Sequence, residues 1–311
     1  MAATGGTRAV MAALFANLGI SVAKFVGFLI TRSSAMLAES VHSVADSANQ
    51  ALLLLGGRRS RRPATTTHPF GYARERYFWS FVVSLVLFTL GSAFALYEGI
   101  DKLRHPHEMT GLGWAIGILM FGIVLESWSF RTAVIESNRL RAGSSWSQFV
   151  RRTKHPELPV VLLEDLGALI GLVIALSAVT MTEVTGESRW DGAGTLLIGL
   201  LLGVIALVLA YEMKSLLIGE AADPDDRQAI VEAIESAPSV RRIIHLRTQH
   251  LGPEEILVAV KVLFDSTLDT TAVAAAIDDV EARVRAVVPC AGPVSVFHCE
   301  SGGVAFEGFS D

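Results

Sequence analysis

Residues 37–46 read Leu37-Ala38-Glu39-Ser40-Val41-His42-Ser43-Val44-Ala45-Asp46, and the reading of this stretch decides the fold. It lies inside a helical run from Met36 to Leu55, long enough to cross a bilayer, for which about 20 residues suffice. His42 and Asp46 stand four residues apart, so both side chains leave the same helix face, one turn from each other. An ionisable pair at membrane depth is costly and by default marks a place where something polar is handled. An imidazole and a carboxylate one turn apart can share a divalent ion. The pair points to a metal ion inside the membrane.

The composition agrees with a membrane class. Of 311 residues, 51% are hydrophobic and 18% charged, whereas a soluble domain has about a quarter charged. The net charge of −5 sums unlike regions and says little. The two cysteines, Cys290 and Cys299, fall near the C-terminus and do not make a disulfide framework, so a reducing compartment is expected for that end. The first apolar run reads as a retained span rather than a removed signal peptide. No nucleotide-binding loop, nucleophile elbow or zincin motif is present, so an enzyme is not expected. Nor is a nucleic-acid partner.

Six runs have the length and apolarity to span: roughly Val10–Ile30, Met36–Leu55, Phe78–Ile100, Leu112–Ile135, Leu158–Met181 and Gly192–Met213. The basic residues fall in alternate loops. Arg58, Arg59, Arg61, Arg62, Arg74 and Arg76 follow the second run, and Arg139, Arg141, Arg151, Arg152 and Lys154 follow the fourth. By the positive-inside rule these loops and both termini are cytoplasmic. A bacterial plasma membrane is expected. Beyond Gly219 the pattern becomes that of a soluble domain. A helix is expected over Pro224–Ser236 and strands over Val240–Gln249 and Ile256–Phe264, joined at Leu251-Gly252-Pro253. A helix over Thr270–Val287 and a strand over Val294–Glu300 complete the order. The expectation is a membrane bundle of six helices over residues 1–215. A cytoplasmic α+β domain follows over 216–311, α-β-β-α-β and ferredoxin- or metallochaperone-like, with one sheet face covered by helices.

Further polar residues fall within the spans. The fifth run holds Glu164 and Asp165, which point about 100° apart, so one faces the site and the other a neighbouring helix or a water path. Asp165 is the preferred ligand and Glu164 a direct ligand or proton carrier. Glu39 precedes the His42/Asp46 pair near the membrane edge. Asn17 either offers an amide oxygen or serves helix packing. Lys24 snorkels or pairs with an acid, and Glu126 is either its partner or part of the ion path. Carboxylates cancel a divalent charge, and a neutral imidazole favours Zn²⁺ over Mg²⁺ and Ca²⁺. Mn²⁺, Fe²⁺ and Co²⁺ also suit. Metal and protons compete for these groups, the simplest basis for antiport.

These residues resemble the cation diffusion facilitator family of zinc-transporting antiporters. The resemblance rests on the six spans, on His42-x-x-x-Asp46, on the loop motif His68-Pro69-Phe70-Gly71 and on the α-β-β-α-β tail. It implies a homodimer that alternates between inward- and outward-facing states and exports divalent metal from the cytoplasm in exchange for protons. The family's metal site takes two residues from span two and two from span five, which carries over as His42, Asp46 and Asp165. Four residues before Asp165 stands Val161, which cannot ligate. Glu164-Asp165 after Val160–Leu163 looks like the branch that includes the mitochondrial zinc transporter of animal cells. The fourth ligand is then Glu164, Asn17, Glu126 or water. Auxiliary sites look incomplete. His68 is followed four residues later by Tyr72, so a loop metal site is weak, and hydrogen bonding to the loop is favoured. His298 and Glu300 resemble a terminal His-x-acid pair that binds regulatory metal in some members, but a polar strand edge without metal is the favoured reading. His245 and His250 face opposite sides of a strand. The alternative function is a non-transporting metal sensor or scaffold that works through the tail.

Overall fold

Long apolar runs broken by loops of charge, glycine and proline give a chain of helices followed by a small sheet. The computed structural model describes residues 3–32, 34–106, 112–141 and 143–298. Two compact units form. One is built from residues up to Arg61 and from Glu75–Lys214, the other from Arg62–Arg74 and residues from Ser215 onward.

The first unit holds α1 (Ala3–Thr31), α2 (Ser34–Arg59), α3 (Glu75–Val86), a π-helical segment (Leu87–Ala93) and α4 (Phe94–Arg104). It continues with α5 (Leu112–Arg141), α6 (Trp146–Arg152), α7 (Glu157–Thr185) and α8 (Arg189–Ile218). Among the described residues four helices are long and apolar enough to cross a membrane: Glu75–Arg104, Gly113–Asn138, Glu157–Thr185 and Arg189–Ile218. The first expected span contains a shorter apolar stretch, Asn17–Thr31. The second, α2, has 26 residues, but Glu39, His42, Asp46 and Asn49 dilute its hydropathy. The expected third span is interrupted by the π-helical segment, a wider turn that frequently marks functional sites.

Helix ends are tied by neighbouring helices. The Lys102 ammonium donates to the Arg32 carbonyl at 3.2 Å, just past the end of α1. At the start of α2, the Ser34 amide and hydroxyl both donate to the Asp191 carboxylate, at 2.7 and 2.8 Å. That carboxylate satisfies an orphan N–H and sits at the positive end of the helix dipole. The basic loop contains a short helix that was not expected. Its start, α6, has a reciprocal capping box between Ser145 and Gln148. The Ser145-x-x-Gln148 spacing is the local signature of that device.

Small residues let α4 and α8 touch backbone to backbone. A Cβ at Gly99 would lie 2.8 Å from the Leu196 amide nitrogen, and one at Gly199 would lie 2.8 Å from that of Leu96. Such close approach is how helices associate in lipid, where burial of apolar surface gives no driving force.

The second unit contains α9 (Pro224–Glu235), β1 (Val240–Gly252), β2 (Glu255–Phe264), α10 (Thr270–Val287) and β3 (Ala291–His298), in the expected order. The sheet runs β1-β2-β3, antiparallel between β1 and β2 and parallel between β2 and β3. Strand β2 alternates strictly, with Ile256, Val258, Val260, Val262 and Phe264 buried, the period of a half-covered strand. These five side chains meet Ile230 and Ile234 of α9 and Val280 and Val284 of α10 in one core, so both helices cover one sheet face. The segment Arg62–Arg74 belongs to this unit. There Gly252 admits Ala73, since a Cβ at Gly252 would stand 2.5 Å from the Ala73 methyl. Cys290 is a free thiol, and Cys299 lies outside the described residues.

Two stability predictions follow from this packing. Gly199→Ala should cost about 1–3 kcal/mol by overpacking, read as a lower melting temperature in detergent, and an unchanged melt would contradict the close α4–α8 contact. The second concerns Asp265, whose carboxyl sits below its ordinary value of 3.8 because the Thr267 amide, the Thr267 hydroxyl and Arg241 donate to it. A depressed carboxyl contributes stability above its unfolded value that is lost as pH falls through the folded one. The wild type should therefore outlast Asp265→Asn at neutral pH, and the gap should close only in acid below about pH 4.

Candidate functional site

Helix α2 carries its polar residues at steps of three and four: Glu39, His42, Ser43, Asp46, Asn49 and Gln50. That spacing puts them along one face. The face is turned inward, with Glu39, His42, Ser43, Asp46 and Asn49 all buried. His42 Nδ1 lies 3.4 Å from Asp46 Oδ1. Neither ring nitrogen of His42 makes a hydrogen bond, nor do Asp46 Oδ1, Asn49 Oδ1 and Gln50 Oε1. Buried polar atoms are nearly always paired, and a cluster of unused lone pairs asks for an explanation such as a bound ion.

Helix α7 supplies the facing carboxylates. Glu164 is buried, close enough to Asp46 for the two carboxyls to interact electrostatically, and accepts from Asn49 Nδ2 at 2.6 Å. Asp165, one residue on, turns to α5 and accepts from Ser129 Oγ at 2.9 Å. The two neighbours thus divide as the 100° step requires, but it is Glu164 that reaches the α2 pair, and the preferred Asp165 faces the neighbouring helix. Gly167 keeps this part of α7 close to α8, where a Cβ would stand 2.7 Å from Ile205. On the third side, the π-helical segment brings Gly91 beside His42, its missing Cβ position 3.9 Å from Nδ1.

The remaining polar residues of the helix bundle also find places. Lys24 of α1 is buried, 3.1 Å from Glu39 Oε2 and 2.8 Å from Ser43 Oγ. Lys24 therefore pairs with an acid and does not snorkel. Glu39 is fully buried among the helices. Glu126 of α5 is buried within the electrostatic reach of Lys24, Glu39, Asp46, Glu164 and Asp165. Asn17 is half-buried on α1, and Val161 half-buried on α7. Among the described residues, no three or more His, Cys, Asp or Glu side chains are gathered closely enough to hold a metal ion. The α2–α7 set is two neighbouring carboxyls with an imidazole beside them, rather than an assembled tetrahedron.

The auxiliary histidines are dispersed. The His68 ring lies against Tyr72 at 4.5 Å, while its amide donates to Thr65 Oγ1 and its carbonyl accepts from the Gly71 amide. His245 is exposed opposite Lys261, while His250 is buried opposite Ile256 on the core side of β1, so the two face opposite ways. His298 ends β3 beside Val262, and Glu300 lies outside the described residues. Asn49 and Ser129 were not foreseen as site residues. Asn49 had a signal, standing three residues from Asp46 on the same face. Ser129 had only its proximity to Glu126.

Comparison with known proteins gives two family matches. The cation efflux transmembrane domain matches residues 10–218, and the cytoplasmic domain of cation efflux proteins matches residues 222–296. The Mus musculus protein named "Proton-coupled zinc antiporter SLC30A9, mitochondrial" is 33% identical over 268 residues, which is 86% of this chain and 47% of the mouse protein. Metal tolerance protein C4 of Arabidopsis thaliana is 30% identical over 248 residues, 79% of this chain and 54% of that protein. Zinc transporter ZitB of Escherichia coli is 26% identical over 253 residues, 80% of this chain and 75% of ZitB. The chain spans about half the length of the first two relatives.

The Asn49–Glu164 bond joins α2 to α7, and removing its donor leaves a buried acceptor unpaired. Asn49→Ala should cost about 1–3 kcal/mol, seen as a lower melting temperature in metal-free detergent. An unchanged melt would show that the bond does not couple the two helices.

Proposed function

The chain belongs to the cation efflux family, and from that premise we propose that it is a secondary active transporter exchanging a divalent metal for protons. Zn²⁺ is the leading substrate, with Mn²⁺, Fe²⁺ and Co²⁺ as the alternatives that an imidazole-carboxylate site accepts. The observation that carries this reading is the cluster of unused lone pairs on α2, at His42, Asp46, Asn49 and Gln50, facing Glu164 of α7.

In this reading His42, Asp46 and Glu164 take the metal, with Asp165 completing the charge balance. Glu39, Glu126 and Asn17 line the route of protons or ion. Metal enters only when the imidazole is neutral and the carboxyls are ionised. Protons held by these groups must therefore leave as the cation arrives, and return as it departs. That mutual exclusion couples the two fluxes without a separate proton site. Six helices cross the membrane with both termini cytoplasmic, and residues 216–311 form the cytoplasmic domain through which two copies pair. The reading includes export from the cytoplasm across an energised membrane, for which we keep the bacterial plasma membrane. The mouse relative is named as a mitochondrial protein.

The test is flux in proteoliposomes under an imposed pH gradient with Zn²⁺, Mn²⁺, Fe²⁺ and Co²⁺ in turn. His42→Ala and Asp46→Asn should abolish uptake, and Glu164→Gln should lower it by about tenfold or more, since one charge unit of the site is lost. Asp165→Asn should lower it less, because Asp165 is turned toward Ser129. Undiminished proton-driven uptake in both α2 variants would sink the proposal.

A further inference from the structure

Lys24 is a fixed positive charge beside a site for a positive ion. It lies on α1, 1% exposed, with its ammonium 3.1 Å from Glu39 Oε2 and 2.8 Å from Ser43 Oγ. Glu39 stands one turn before His42 on the same face of α2, and Ser43 directly follows His42. Five buried carboxyl groups, Glu39, Asp46, Glu126, Glu164 and Asp165, share this interior, and the charge of Lys24 is felt at Glu39, His42, Asp46 and Glu126.

Joining α1 to α2 does not by itself require an ion pair. Ser21 and Ser40 already tie the two helices by reciprocal bonds, Ser21 Oγ to the Ser40 carbonyl at 3.3 Å and Ser40 Oγ to the Ser21 carbonyl at 3.1 Å. Nor is Glu39 fully engaged. Its Oε2 takes the ammonium, whereas Oε1 is buried without a hydrogen bond. That oxygen points at α7 where Gly171 has no side chain, and a Cβ there would stand 2.6 Å from it. The bundle thus keeps a lysine and a half-used carboxylate at this level, with room left on α7.

We propose that Lys24, held by Glu39 and Ser43, is a tethered counter-cation that sets the affinity of the adjacent site for divalent metal. Its charge opposes a divalent ion held by His42, Asp46 and Glu164, and keeps that ion releasable. Glu39 offsets part of that charge and fixes where the ammonium sits. Unscreened charges in a low-dielectric interior act over such distances far more strongly than in water. This inference rests on the transport-site reading above. Lys24 is a positioning and affinity-setting residue and does not touch the metal.

The test is equilibrium Zn²⁺ binding to the full chain in detergent, with flux measured alongside. Lys24→Met and Lys24→Gln remove the charge, and the glutamine keeps donors for Glu39 and Ser43. Both should bind Zn²⁺ about tenfold or more tightly, with KM and kcat for transport falling together as release slows. Glu39→Gln should shift binding the opposite way, weaker by a similar factor, and Lys24→Arg should stay near the wild type. Opposite shifts from the two halves of one ion pair are what a packing role does not produce, since packing loss weakens both. If Lys24→Met does not fold, Lys24→Gln carries the measurement. Weakened or unchanged binding in Lys24→Gln, or a same-sign shift in Glu39→Gln, would overturn the inference. The control is His42→Ala. If it binds Zn²⁺ as the wild type does, or if the wild type binds none, the site reading itself fails and takes this inference with it. If His42→Ala loses binding while Lys24→Gln and Glu39→Gln match the wild type, the inference alone fails.

Discussion

The constraint on which the membrane unit depends is the cost of leaving a charge or an unpaired polar group inside a helix bundle. Helix α2 carries a line of such groups, and it can be buried only if other helices answer them. The arrangement of α1, α5, α7 and the π-helical segment is that answer. Lys24 meets Glu39 and Ser43, Asn49 and Asp46 meet Glu164, and Ser129 meets Asp165. The groups left over, at His42 and on the near side of Asp46, are those a cation would engage. Packing and chemistry are set by the same side chains.

Much of this was legible in the chain itself. The step of four between His42 and Asp46 needs only helix periodicity to place both on one face. The period-2 run Ile256–Phe264 gave strand β2 with its buried side, and Thr270–Val287 gave α10 with the same ends as observed. What periodicity cannot supply is the partner across an interface. Glu164 and Asp165 were known to diverge by about 100°, but which of them turned to α2 depended on the rotation of α7 against α5, fixed by side chains on three helices. The pairing of Lys24 with Glu39 rather than Glu126 was likewise a choice between two acids on different helices.

Other features left weaker traces. The π-helical segment has no proline, and its Gly91-Ser92 pair is only a faint trace, because a π turn is a local fit to tertiary contacts rather than a propensity. The spans were also unequal. The residues that make α2 chemically interesting are those that lower its hydropathy, so the helix nearest the proposed chemistry is the one that composition alone marks least. Helix α6 was missed although Ser145-x-x-Gln148 carries the capping signature, since its seven residues offered no apolar periodicity to accompany it.

The π-helical segment has a consequence for the rotational phase of the third long helix. Below it, Trp79 of α3 lies against Gly56 of α2; above it, Leu96 and Gly99 of α4 lie against the backbone of α8. The extra residue in a π turn offsets the two halves by about one position, or roughly 100° around the axis. Without that offset, one uniform α-helix could present its small-residue seam to α8 or its aromatic anchor to α2, but not both. Leu87–Ala93 acts as a phase shifter between two interfaces, and Gly91, inside it, stands beside His42, where a Cβ would lie 3.9 Å from Nδ1.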